Sequence, residues 1–181
     1  DGYRENPGIL QSLRGGQRLL RRGLAGLERE TLLQIHEDGV PAEQAFGYQP
    51  FVWELLLCAF VAAEAAGRAV PEAVKRRLAA SLEFARAVRL PDGATPQVGD
   101  EDDGRVLLAA EGWSRLDLVG DALAAWLGAD ALGDAPALAR LLCGRAAAPA
   151  RAAADGRHDF DAGGYTVWRE RGTLVTHDHG P

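Results

Sequence analysis

Residues 163–178 read GGYTVWRERGTLVTHD. Two runs of β-type residues, Tyr165 to Arg169 and Thr173 to His177, flank Arg171-Gly172, and this order predicts a β-hairpin. The chain before it has a different period. From Gln17 to Glu37 the residues Leu19, Leu20, Leu24, Leu27, Leu32 and Ile35 recur at spacings near three and four, with Arg18, Arg21, Arg22, Glu28 and Arg29 on the wet face. That spacing predicts an amphipathic helix closed by Asp38-Gly39. Pro50 suits the first position of a second helix, about Phe51 to Ala66, which ends on Gly67. A third opens at Val70-Pro71-Glu72, a fourth runs from about Arg115 to Leu127 behind a Ser114 cap, and a fifth from about Ala135 to Cys143. The loop PDGATPQVGDEDDGRVLL (91–108) is too polar and too rich in glycine and proline for regular structure. Helices followed by strands predict an α+β chain, mainly α. Its expected division is a helical part over 1–148, a linker over 149–160 within the alanine-rich approach to Gly156, and the start of a β part over 161–181. Periodicity alone fits a bundle, a solenoid or an α/α toroid.

The chain has 181 residues, 47% of them hydrophobic and 25% charged, which excludes a fibrous or wholly disordered class. Its formal charge of -6 implies no broad basic surface, so nucleic acid is not an expected partner. All basic residues but Lys75 are arginine, a pattern read as coding bias. The longest apolar stretch, Phe51 to Ala63, is interrupted by Glu54 and is expected to be a core helix, so no membrane span is expected. Cys58 and Cys143 lie in apolar helical stretches and are expected to pack as small hydrophobes. The chain has no methionine and stops directly after a strand, which leads to the expectation that it is a piece of a longer protein.

Two stretches carry candidate chemistry. The first is HEDGVPAEQAFGYQPF (36–51), a polar turn between apolar helices. Tyr48 stands just before the second helix, where the macrodipole favours an anionic ligand or a phenolate, with Glu43, Gln44 and Gln49 beside it. A tyrosine ionises near pH 10, so acting as a base near neutrality requires positive charge close by. The plain alternative is that Tyr48 packs with Phe46 and Phe51. The second stretch is VGDEDDGRV (98–106). As a calcium loop it fails, because Arg105 falls where the sharp turn needs glycine. It is either a solvated acidic loop or a cleft wall in which Asp103 and Arg105 hold one another and Asp100, Asp102 and Asp103 accept sugar hydroxyls. Of the four tryptophans, Trp113 is placed in a loop by a helix start and could stack on a sugar; core packing is expected of Trp53, Trp126 and Trp168. His177 and His179 share a strand face but lack a third ligand, so no metal or other cofactor is expected.

Three segments, QIHEDGVPAEQAFGYQPFVWELLL, LPDGATPQVGDEDDGRVL and GGYTVWRERGTLVTHDHGP, resemble in order three segments of bacterial heparinase II/III-like polysaccharide lyases. The family pattern is a D-G turn, E-Q and an aromatic pair before a helix, then P-x-x-G-D-x-D-G-R, then G-G-Y and a strand ending D-x-G-P. The resemblance covers about residues 30 to 181 and implies an incomplete α/α toroid followed by the start of an antiparallel β-sandwich. It implies β-elimination on a uronic-acid-containing polysaccharide, with Tyr48 as the proton-transfer residue, an acidic polysaccharide or oligosaccharide as partner, and a periplasmic or secreted location. Substrate contacts are expected from Glu43, Gln44, Gln49, Asp100, Asp102, Asp103, Arg105 and Trp113. Gln49 stands where the family has a histidine, and neither the family's Asn-His pair nor its second catalytic histidine is found in this sequence. The chain by itself is therefore expected to be inactive. Two other readings stand beside this one: a non-catalytic helical carbohydrate-binding or assembly module, and a glycoside hydrolase on an α/α toroid using Glu43 and Asp102.

Overall fold

The computed structural model describes residues 7–100, 104–107 and 113–180. Among these residues five α-helices precede a three-stranded antiparallel sheet: α1 Pro7–Gln34, α2 Gln49–Ala65, α3 Glu72–Val88, α4 Arg115–Leu127, α5 Pro136–Cys143, then β1 Gly156–Phe160, β2 Tyr165–Glu170 and β3 Thr173–Asp178. The chain is thus α+β and mainly α.

α1 is longer at its start than the periodicity indicates and ends three residues earlier, at Gln34. Past that point Ile35 bridges Pro41, and His36 N–H donates to Val40 O at 2.8 Å, so the backbone has turned back on itself. The last carbonyls of α1 are capped from outside: the Arg77 guanidinium donates to Leu32 O at 2.8 Å and to Ile35 O. Gly39 has φ +94°, and a Cβ there would lie 2.2 Å from the Ala80 carbonyl, so the turn presses directly on α3. Phe46–Tyr48 form a single 3₁₀ turn that runs into α2. α4 begins as expected, with Ser114 Oγ accepting from Asp117 N at 3.0 Å.

α3 is shared by two apolar clusters. Val74, Leu78, Leu82 and Ala85 join Trp53, Leu57, Phe60, Val119 and Leu123 in the helical core. Phe84, Ala87 and Val88 instead meet Val40, Phe46, Phe160, Tyr165 and Val167. In that second cluster the Phe84 ring stands edge-on to Phe46 at 5.2 Å and to Phe160 at 4.9 Å. Arg169 on β2 donates to Ala87 O and Arg89 O, at 2.7 and 2.8 Å, capping the end of α3 and tying the sheet to it.

The strands form a meander in the order β1-β2-β3. The expected hairpin is present: Glu170 pairs with Thr173 across Arg171 and Gly172, both left-handed at φ +47° and +83°. The linker expected over 149–160 is shorter than that, because β1 occupies Gly156–Phe160 and pairs along its whole length with β2. Its first residues carry no apolar alternation since β1 is an edge strand, and only Phe160 is buried. Upstream of β1 the chain is extended and pinned: Ala131 N donates to Ala148 O, and the buried Arg86 guanidinium donates to Asp130 O, Ala131 O and Arg151 O. Among the described residues one stretch, Phe46–Ala65, is long and apolar enough to cross a membrane by composition. Half of it is buried, and Trp53, Leu57 and Phe60 lie in the helical core.

Candidate functional site

The three segments singled out in the sequence meet in space. Asp38 Oδ2 accepts from Gly163 N at 2.9 Å, and Gln44 Nε2 donates to Gly163 O at 3.0 Å, so both backbone polar groups of one residue in the β1–β2 turn are held. Gly163 has to be glycine for this, since a Cβ there would lie 2.2 Å from Val40 Cβ. Phe46 N donates to Val98 O at 3.1 Å, and a Cβ on Gly99 would approach Ala45 Cα to 2.8 Å. The turn between α1 and α2 is therefore a hub with the 91–100 loop on one side and the sheet on another.

This packing sets the 3₁₀ turn in place and puts Tyr48 at the N-cap of α2, which starts at Gln49, one residue before the Pro50 start expected from the sequence. Tyr48 is half-buried. It lines a small apolar pocket of about 20 Å³ with Ile35, Pro41, Val52 and Trp53, and the exposed Glu43 stands at the same pocket. One residue earlier, Gly47 borders a larger open groove of about 400 Å³. Arg105 and Arg115 line that groove, together with Pro50 at the start of α2 and Ser114 at the start of α4. Asp100 is exposed and lines a third, smaller cavity of about 40 Å³ with Gly47 and Gln97. Tyr48 and Arg105 are thus neighbours through Gly47 but border different cavities. Trp113 is 44% exposed and immediately precedes the Ser114 cap. Asp102 and Asp103 lie outside the described residues.

Gln44 and Gln49, two of the residues expected to contact substrate, both hold structural bonds. Gln44 is the strut to Gly163, in a left-handed conformation at φ +59°, and its Oε1 is buried without a partner among the described residues. Gln49 is 4% exposed, and its Nε2 donates to Ser81 Oγ at 2.7 Å. Ser81 Oγ also accepts from Trp53 Nε1 at 2.8 Å, so a single hydroxyl satisfies two buried donors.

Glu54 is the feature that sequence reasoning passed over. Its buried carboxylate accepts from Val106 N at 3.1 Å, Leu107 N at 3.0 Å and Arg115 Nη2 at 3.2 Å. It fixes the loop that carries Arg105 and holds Arg115 at the groove, where the guanidinium also lies over the Phe51 ring at 5.6 Å. The signal was in the sequence: an acid inside the apolar run from Phe51 to Ala63 has to be paired when it is buried. Asp121 is a second buried acid, accepting from Leu132 N, Gly133 N and Ala135 N, and it organises the turn before α5.

No group of three or more His, Cys, Asp or Glu among the described residues is placed to hold a metal ion. The His177 and His179 rings are 5.7 Å apart. Cys58 and Cys143 are free thiols, and burial pushes both above the usual thiol range. Trp53 is fully buried and Trp126 stacks on Phe60, as expected of core residues, whereas Trp168 is 40% exposed on the outer face of the sheet, because position 168 points opposite to the buried Val167. Comparison with protein-family models, with curated proteins and with solved structures found no match to this chain.

Proposed function

We propose that this chain is part of a polysaccharide lyase that cleaves a uronic-acid-containing glycan by β-elimination, with Tyr48 as the proton-transfer residue. In this reading the helices belong to an α/α toroid and the three strands open an antiparallel β-sandwich. The observation that carries it is the convergence of the three family-like segments on the turn that bears Tyr48, beside a groove with two arginines. A groove of about 400 Å³ has the size of a small-ligand site.

The chemistry asked of such a site has three parts. The C5 proton leaves to a base, the carboxylate is held by positive charge so that the enolate-like intermediate is tolerated, and the 4-oxygen departs with a proton. Tyr48, at the positive end of a 17-residue helix, serves the first or third part. Arg105 and Arg115 serve the second.

A second reading, a non-catalytic carbohydrate-binding or assembly module, is favoured by one observation. The pocket that Tyr48 lines is far too small for a sugar ring. The two readings separate on Tyr48→Phe in a longer protein carrying this chain. The lyase reading expects the ultraviolet absorbance of unsaturated uronate to be produced by the parent and lost in the variant. An unchanged rate in Y48F removes Tyr48 from the chemistry, and the 181-residue chain by itself is expected to give no turnover.

A further inference from the structure

We propose that the groove between the starts of α2 and α4 is a carboxylate-binding subsite in which Arg105 and Arg115 together hold the acid group of a hexuronate. This deepens the reading above and rests on it for the sugar, but not for the anion. The geometry offers two guanidinium groups to a single anionic group.

Charge is distributed to suit an anion. Arg105 is exposed on the groove and forms no ion pair or hydrogen bond among the described residues. Arg115 is only 20% exposed and is oriented from behind by Glu54 and beneath by Phe51. The Glu54 carboxylate that neutralises it lies away from the ligand space, buried and already occupied by the Val106 and Leu107 amides. Among the described residues, the other acids near the groove are engaged or displaced. Asp117 is held by Arg89 in a two-bond pair at 2.8 and 2.9 Å, Asp92 accepts from Ala94 N, and Asp100 faces the neighbouring cavity. One guanidinium unpaired among the described residues and one preoriented guanidinium, with Thr95 and Gln97 along the wall, match a carboxylate flanked by hydroxyls.

The test is calorimetric titration of the chain with glucuronate and, separately, with glucose. Glucuronate alone has no glycosidic leaving group, so binding is read without any elimination. Saturable binding in the millimolar range is expected for glucuronate and none for glucose. Arg105→Ala should weaken it about tenfold. Arg115→Lys keeps the charge opposite Glu54, so the fold is preserved while the planar fork is lost, and a similar weakening is expected. The proposal is overturned if glucuronate does not bind, if glucose binds equally, or if both variants keep the parent affinity. A positive result here with no elimination in the longer protein would leave the subsite standing and remove the lyase reading.

Discussion

At the scale of single residues, a few polar side chains carry much of the order around the site. Ser81 Oγ accepts from both Gln49 and Trp53 inside the helical packing. Ser81→Ala leaves two buried donors without that acceptor and should lower stability by about 2 kcal/mol, measured by urea unfolding. Tyr165 makes a pH prediction. Burial, followed by the Asp178 carboxylate beside its hydroxyl, pushes the phenol up to about 12. The folded state therefore favours the neutral phenol. This contribution is complete below the ordinary tyrosine range near pH 10 and is lost as pH rises from there toward 12. A spectrophotometric phenolate titration should show one of the three tyrosines ionising late, and Tyr165→Phe should remove that late phase. If all three ionise together near 10, the buried phenol is misassigned.

Among the elements, the sheet is held to the helices by few contacts, and each is open to test. Among the described residues, the clamp on the Gly163 backbone and the Arg169 cap on α3 are polar contacts of this kind. Gly163→Ala would drive a methyl group into Val40, and overpacking of this kind should cost about 1–3 kcal/mol. Hydrogen exchange should show the cost concentrated in β1 and β2, with α4 and α5 unchanged; equal loss of protection everywhere would deny the clamp a local role.

The elements were unequally legible in the sequence. The β2–β3 hairpin was plain because Arg171-Gly172 sits between alternating runs, and α2, α3 and α4 were plain from Pro50, Pro71 and Ser114. β1 was hidden because an edge strand with one buried residue has no apolar alternation. The early part of α1 was hidden because Gly15-Gly16 interrupts its period. Tyr48 at a helix start could be anticipated from Pro50 two residues on, whereas the Glu54–Arg115 pair depends on a contact across 61 positions that no local pattern encodes. Arginine, read from composition as coding bias, proves to hold the molecule together: Arg77, Arg145 and Arg169 bond the carbonyls at the ends of α1, α4 and α3, and Arg86 fastens the approach to the sheet.

Across the whole molecule, α3 joins the two apolar clusters, and the turn between α1 and α2 collects the loop, the sheet and the start of α2 at one place. The proposed function is centred on that place because a groove opens there, between two helix starts and beside two arginines. An acidic oligosaccharide long enough to span the groove should reach Tyr48 past Gly47. The direct measurement is heteronuclear NMR of the chain titrated with a uronate oligosaccharide and with a neutral one of equal length. Saturable shifts at the Gly47, Tyr48 and Arg105 amides with the acidic sugar alone are the predicted result. Shifts that leave Gly47 and Tyr48 unmoved, or that appear equally with the neutral sugar, would contradict the account.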